Sequence, residues 1–63
     1  MNIGEKVKEK RIEADVMQVT LAEMVGVSQS MICQIERGTK MPTVPLAKQI
    51  ADALGCNIQD FLD

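Results

Sequence analysis

The sequence predicts an all-α domain of five short helices. Residues that start or end helices recur at short intervals, at Asp15, at Gly26, between Gly38 and Pro45, and at Gly55. Between these breaks the apolar residues follow helical spacing, and no segment alternates apolar and polar residues as a half-buried strand does. A chain of 63 residues suffices for one small domain.

The first predicted helix spans Ile3 to Ala14. Asn2 and Glu5 stand at the spacing of a capping box, in which the two side chains satisfy N–H groups of the first turn. Ile3, Val7 and Ala14 share one apolar face of this helix, and Arg11 lies on the same face.

The second and third predicted helices are separated by a short turn. The second spans Gln18 to Val25 and ends at Gly26, because glycine readily adopts the left-handed conformation of a helix C-cap. Ser28 is a good N-cap for the third, which runs to Arg37 and stops at Gly38.

The fourth and fifth predicted helices complete the chain. Thr43 is a good N-cap for the fourth, and Pro45 is tolerated because it lies in the first turn. This helix ends at Gly55. A short fifth helical turn is capped by Asn57, and its apolar residues are Ile58, Phe61 and Leu62.

Charge is distributed unevenly along an acidic chain. The formal net charge is −2: residues 1–28 contribute −1, residues 29–48 contribute +2, and residues 49–63 contribute −3. An acidic balance argues against a nucleic-acid partner, since contacts to phosphate supply much of the affinity in such complexes. The third predicted helix and the loop after it are nevertheless the basic part of the chain.

The sequence offers little for metal or catalytic chemistry. Cys33 and Cys56 lack paired C-x-x-C spacing and the chain has no His, so neither a metal nor another cofactor is expected. Enzymatic activity is not expected either, because a nucleophile needs an acid–base partner. Cys33 is either a redox-sensitive thiol or, more commonly, a small apolar residue.

The cellular setting predicted by the sequence is a reducing cytoplasm. Unpaired cysteines favour that compartment, and the N-terminal segment MNIGEKVKEKR is too charged for a signal peptide or a membrane span. No membrane partner and no small-molecule ligand is indicated.

The stretch from Gln18 to Arg37 fits a helix-turn-helix, which needs two closely crossing helices, a tight turn and an exposed outer face. Ala22 permits the close crossing and Gly26 permits the turn. The inward anchors of the third helix are Val27, Ile32 and Ile35. At about 100° per residue Ser30 and Gln34 face away from these anchors, and Gln29 flanks that outer face. A glutamine amide can donate to and accept from adenine in the major groove.

An ordered set of further residues extends this pattern over nearly the whole chain. The set comprises Gln18, Leu21, Ala22, Gly26, Val27, Ser28, Ile32, Ile35, Glu36, Arg37, Gly38, Pro42, Leu46, Ile50, Ala51, Ala53, Leu54 and Gly55. In this order and spacing the chain resembles the lambdoid-phage repressor and Cro type of helix-turn-helix domain. The resemblance implies a five-helix lambda-repressor-like fold. It also implies sequence-specific binding to double-stranded DNA by a small transcriptional regulator, expected to be a repressor, with residues 28–37 in the major groove.

The resemblance also implies roles for individual residues. Base contacts are expected from Gln29, Ser30 and Gln34. Phosphate contacts are expected from Gln18 and Lys40, and from Arg37 at the far end of the outer face. Arg11 and Glu36 are expected to form an ion pair inside the domain. The simpler alternatives are that the glutamines and Lys40 are solvated surface residues, and that Arg11 is a surface cation.

The chain departs from the family pattern at several apolar positions. Met17 stands where Ser or Thr usually caps the second helix, and Asp15 stands where Gly or Asn often ends the first. The apolar set is Ile12, Val16, Met17, Val19 and Met24. It predicts either an exposed patch that binds another protein, as in an antitoxin or anti-repressor, or a core residue, Val16, with scattered surface methyl groups. The protein-interaction module is the main alternative to a DNA-binding regulator.

A homodimer is also expected. One such domain contacts too few bases for strong selectivity, so two copies should bind half-sites about 34 Å apart. The resemblance implies a dimer contact at the last helical turn and tail, with Ile58, Phe61 and Leu62, and the alternative is that these residues belong to the core of a monomer.

Overall fold

Five helices make up the part of the chain that the computed structural model describes, residues 3–62. They are α1 (Ile3–Glu13), α2 (Gln18–Val25), α3 (Gln29–Arg37), α4 (Val44–Leu54) and α5 (Gln59–Leu62). The predicted all-α fold and the order of the five helices are confirmed. No helix in residues 3–62 is long and apolar enough to cross a membrane.

Most helix ends lie where the capping residues predict them. Gly26, Gly38 and Gly55 adopt φ values of 74°, 83° and 73°, the left-handed conformation that terminates a helix. The hydroxyls of Ser28 and Thr43 accept hydrogen bonds from the backbone N–H three residues further on, at 3.1 and 3.2 Å. These caps are local chemistry, so local sequence is enough to locate them.

The end of α1 differs from the prediction. The helix stops at Glu13, and Ala14 is an exposed turn residue that does not extend the apolar face. Asp15 follows with φ 59°, a left-handed conformation that Asp tolerates better than most side chains. The proposed capping box involves Asn2, which lies outside the described residues. At the other end of the chain, the Asp60 carboxylate accepts from the backbone N–H of Asn57 at 3.1 Å, as an acid at the third position of a capping box does.

The core is aliphatic except for one phenylalanine. It consists of Val7, Leu21, Ala22, Ile32, Ile35, Ile50, Ala51 and Phe61. α1 packs against α3, α4 and α5, and α2 packs against α3 and α4, so all five helices cover this core.

The burial of Phe61 corrects the predicted dimer contact. Its side chain is 3% exposed and belongs to the core, so it is not available to a second chain. Ile58 is half-buried against the same core, whereas Leu62 is 60% exposed. The short α5 turn directs Phe61 inward because burying the chain's largest apolar side chain stabilises so small a domain.

Gly4 brings α1 unusually close to α3. It is buried, and a Cβ added there would lie 3.0 Å from the carbonyl oxygen of Glu36 and closer still to that of Ile35. Only glycine therefore permits the first turn of α1 to rest on the last turn of α3. Sequence reasoning did not single out Gly4.

Candidate nucleic-acid interface

The turn between α2 and α3 holds the two helices in close contact. Ala22 is 2% exposed on α2, and its carbonyl oxygen accepts from the backbone N–H of Gly26 and of Val27. A larger residue in place of Ala22 would push α3 outward, since interiors are close-packed. Ile32 and Ile35 anchor α3 from the other side of the crossing and are fully buried.

The opposite face of α3 is open to solvent. Gln29, Ser30 and Gln34 are exposed, and Met31 and Cys33 at its margins are half-buried. The two glutamine amides and the hydroxyl offer donors and acceptors together, which suits the edges of base pairs. The structure thus brings the three residues predicted for base contact onto one solvent-facing surface of one helix.

The loop after α3 folds back onto the end of that helix. The carbonyl oxygen of Gln34 accepts from the backbone N–H groups of Thr39 and Lys40, at 3.0 and 3.3 Å, and from the Thr39 hydroxyl at 3.1 Å. This arrangement holds the backbone of Lys40 against the C-terminal end of α3, where Arg37 is also exposed. The basic side chains predicted for phosphate contact therefore share one end of the outer face.

Local charge at this face is more positive than the whole chain suggests. Between residues 24 and 51 the only acidic residue is Glu36. Its side chain is 3% exposed and paired with Arg11, so it contributes little negative potential at the surface. Lys48, by contrast, forms an exposed 3.6 Å pair with Asp52 on α4. Among the described residues, Arg37 and Lys40 are therefore the exposed cations at this end of α3 that form no ion pair.

Arg11 and Glu36 form an ion pair inside the domain. The Arg11 Nε lies 2.7 Å from Glu36 Oε2 and its Nη2 lies 3.2 Å from Oε1, a bidentate arrangement. The Arg11 Nη1 also donates to the carbonyl oxygen of Val16 at 2.7 Å. Arg11 is 12% exposed, so its guanidinium binds α3 and the α1–α2 connection and is not a surface cation.

Gln18 occupies the first position of α2 and is half-buried. Its Nε2 donates to Glu36 Oε1 at 3.0 Å, a contact that sequence reasoning did not anticipate. Met17, the N-cap residue, has extended backbone but makes no side-chain hydrogen bond to the helix start. The first N–H groups of α2 therefore lack the usual side-chain cap and carry the positive end of the helix dipole.

Neither cysteine lies in a site with evident chemistry. Cys33 and Cys56 are both half-buried free thiols. Burial, with the Asp60 carboxylate nearby, raises the pKa of the Cys56 thiol, which lowers its reactivity. Within residues 3–62 no three Cys, Asp or Glu side chains cluster so that they could hold a metal ion.

Four of the five apolar residues predicted as a protein-binding patch line two separate depressions, and Val19 lines neither. Ile12, Val16 and Met17 line one, beside Arg11 and Asp15. Met24 lines another between α2 and α4. Val16 packs against the core, while Ile12, Met17, Val19 and Met24 are 58%, 66%, 40% and 54% exposed. The five apolar residues therefore do not form one continuous patch, and one of them, Val16, packs against the core.

A different apolar groove was missed by sequence reasoning. It is lined by Ile3, Met41, Pro42, Val44, Ala47, Ile58 and Leu62, and Met41 and Val44 are each 73% exposed. We call these seven residues the loop groove. Its sequence signal was two large apolar residues flanking Pro42 and Thr43 in a connection between helices, where exposed positions are usually polar.

Comparison with known proteins places these features in a family. The family profile described as Helix-turn-helix matches residues 7–61. The immunity repressor protein of Bacillus phage phi105 is 34% identical over 58 residues, which make up 92% of this chain but only 40% of the repressor. The chain therefore spans less than half the length of that relative.

Two solved structures share the fold along almost the entire chain. The DNA-binding domain of the P22 c2 repressor superposes with a TM-score of 0.94 at 31% identity, covering 98% of this chain and 82% of that one. SinR, the master regulator for biofilm formation, in complex with DNA, superposes with a TM-score of 0.90 at 29% identity, covering 97% and 98%.

Proposed function

The chain belongs to the helix-turn-helix family, and from that premise we propose that it binds double-stranded DNA sequence-specifically as a transcriptional regulator. In this proposal α3 lies in the major groove. The P22 c2 and SinR structures support it, because one is a DNA-binding domain and the other a complex with DNA. The likeness to a phage immunity repressor favours repression, and the free thiols favour a reducing cytoplasm.

The observation that carries the proposal is the two-sided character of α3. One side is fixed by Ile32 and Ile35, both fully buried, and the other exposes Gln29, Ser30 and Gln34. A rigidly held helix with bidentate amides on its free side can insert into the major groove without reorganisation.

The phosphate contacts are assigned to three residues. Lys40 and Arg37 lie at the C-terminal end of α3, and Gln18 is the first residue of α2 and donates to Glu36 in the last turn of α3. The α2 start has no side-chain cap from Met17, so its N–H groups can donate to a phosphate oxygen instead. Contacts of this kind set the register of the domain on the duplex, whereas base contacts set the sequence.

Titration with salt tests whether the protein binds duplex DNA through phosphates. Affinity should fall as salt rises, with a log–log slope of about −0.9 for each phosphate contact. Replacing Lys40 with Ala should make this slope shallower by about one, whatever the duplex sequence. Absence of binding to any duplex at about 50 mM salt contradicts the proposal, because electrostatic binding is strongest there.

Gln34 provides the test of sequence reading. On a duplex selected from a random pool, Gln34→Ala should cost about 1–3 kcal/mol and relax preference at one base pair. Gln49, exposed on α4, is the matched control, and Gln49→Ala should leave affinity and preference unchanged. Equal weakening by Gln34→Ala on every sequence would reject Gln34 as a base contact.

We also propose that the protein binds paired half-sites as a homodimer, and that the loop groove, without Phe61, forms the contact between the two copies. Phe61 is buried, but Ile58 and Leu62 line the loop groove together with Met41 and Val44. This groove begins one residue beyond Lys40, at the end of α3 that carries the phosphate contacts. The domain measures 25 × 24 × 20 Å between Cα atoms, so copies about 34 Å apart on one duplex face can meet through their side chains.

A further inference from the structure

The carboxylate of Glu36 accepts a hydrogen bond from Gln18 in addition to its ion pair with Arg11. Its Oε2 accepts from Arg11 Nε at 2.7 Å, and its Oε1 accepts both from Arg11 Nη2 at 3.2 Å and from Gln18 Nε2 at 3.0 Å. The Glu36 side chain is 3% exposed, so the carboxylate that accepts these part-buried hydrogen bonds lies almost entirely away from solvent. One buried group thus connects α1, the first residue of α2 and the last turn of α3.

We infer that Glu36 is a positioning residue, which orients the Gln18 side chain for its phosphate contact relative to α3. The inference rests on the proposed function, because it presupposes that Gln18 meets a phosphate. An amide is planar, so a hydrogen bond from one of its N–H groups fixes the direction of the second N–H and of the carbonyl oxygen. A side chain held in this way loses less conformational freedom when it binds.

Because Glu36 lies on α3, its hydrogen bond ties the Gln18 side chain to the helix that carries the candidate base contacts. Glu36 lies on α3, two residues after the base-contacting candidate Gln34, and is 25 positions from Arg11 and 18 from Gln18. Because phosphate contacts set the register of a domain on DNA, a Gln18 anchored to α3 keeps phosphate and base contacts in fixed relation. Arg11 makes this possible, since it neutralises a carboxylate that would otherwise repel the same phosphate.

The simpler interpretation is that the Gln18–Glu36 bond only stabilises the fold. The two interpretations differ in one measurable quantity, the coupling between Gln18 and Glu36 in DNA affinity. A purely structural bond predicts that Gln18→Ala weakens binding equally whether or not Glu36 is present. A positioning role predicts that removing Glu36 removes most of the effect of Gln18→Ala.

A double-mutant cycle measures this coupling. The second background is Arg11→Met with Glu36→Leu, because replacing both members of a buried pair by apolar residues commonly preserves the fold. The probe is a duplex of about 20 base pairs of arbitrary sequence at about 50 mM salt, where phosphate contacts dominate. In the wild type Gln18→Ala should lower affinity about tenfold, and in the second background less than about threefold.

Lys40→Ala is the control in both backgrounds. Lys40 is exposed on the loop after α3 and makes none of these hydrogen bonds to Glu36, so its effect should be the same in each. Equal losses from Gln18→Ala in the two backgrounds overturn the inference. So does an unchanged affinity of Gln18→Ala when Lys40→Ala weakens binding. Failure of the proposed function is recognised separately, because the wild type itself then binds no duplex.

A measurement without DNA, which does not need the second background to fold, tests the premise of the inference that Glu36 holds the Gln18 amide in one orientation. Relaxation of side-chain amide ¹⁵N nuclei should show Gln18 as rigid as the backbone in the free protein. Gln29 and Gln34, which are exposed on α3, are the internal references and should be mobile on the same timescale. Equal mobility of Gln18 and the two references overturns the inference.

Discussion

At the scale of single residues, the buried ion pair between Arg11 on α1 and Glu36 on α3 contributes to the stability of the domain. Its members are 12% and 3% exposed, so Arg11→Ala leaves a buried carboxylate without its counterion. We expect this change to lower the free energy of unfolding by about 3–5 kcal/mol. Urea denaturation followed by circular dichroism at low temperature measures it.

Two controls accompany the Arg11→Ala prediction. Lys48→Ala breaks an ion pair whose members are both 67% exposed, and it should change stability by less than about 1 kcal/mol. The double replacement Arg11→Met with Glu36→Leu should recover most of the lost stability, because no charge remains buried. An Arg11→Ala variant as stable as Lys48→Ala would show that the pair contributes nothing.

Gly4 gives a second prediction at this scale. A Cβ at this position would collide with the carbonyl oxygens of Ile35 and Glu36, and backbone atoms cannot rotate away. We therefore expect Gly4→Ala to destabilise the domain by about 1–3 kcal/mol, even though Ala favours helices over Gly by about 1 kcal/mol. Thermal denaturation measures the shift.

Gly26 is the comparison for Gly4. It has open space around it but a φ of 74°, so Gly26→Ala should cost only the left-handed strain, about 1 kcal/mol. The two glycines separate a steric requirement from a conformational one. A Gly4→Ala variant at least as stable as the wild type would mean that α1 can move away from α3 freely.

At the scale of the helix, α2 begins without a side-chain cap, whereas Ser28 and Thr43 cap the starts of α3 and α4. Met17 has the extended backbone of an N-cap residue, φ −81° and ψ 157°, and is 66% exposed. Met17→Ser should therefore stabilise the domain by about 0.5–1 kcal/mol, because the hydroxyl can accept from the first turn. Met17→Ala removes the same side chain without adding an oxygen, and an equal gain from it would disprove capping as the cause.

The helices also show how far the sequence could predict this fold. The ends at Gly26, Gly38 and Gly55 were predictable because a left-handed cap depends on one residue and its neighbours. The end of α1 was displaced by one residue, since Asp15 adopts the left-handed conformation at a position with no glycine. Capping is local, and the predictions fail where the local signal is weak.

The candidate site was predictable in part for the same reason. Helical periodicity alone places Gln34 and Ser30 opposite Ile32, and the structure exposes both. The hydrogen bond from Gln18 to Glu36 and the burial of Phe61 depend on helices that meet only in the folded domain. Periodicity within one helix cannot determine which residue of another helix it contacts.

At the scale of the whole molecule, the size of the loop groove determines what kind of dimer it can support. Seven residues line it, whereas a stable interface takes about 20–30 residues from each partner. Two loop grooves in contact should therefore associate weakly in solution. On a duplex with two half-sites the DNA holds both copies at high effective concentration, so the same contact becomes sufficient.

We therefore expect cooperative binding to paired half-sites by a protein that is monomeric in micromolar solution. Met41→Gln with Val44→Gln should leave affinity for a single half-site unchanged and should lower affinity for the paired site about tenfold. Ile12→Gln with Met24→Gln removes a similar exposed apolar surface elsewhere, and it should preserve cooperativity. Mobility-shift titrations on duplexes with one and two half-sites, with sedimentation for the free protein, measure these quantities. Equal cooperativity in the two double variants would exclude the loop groove as the contact between copies.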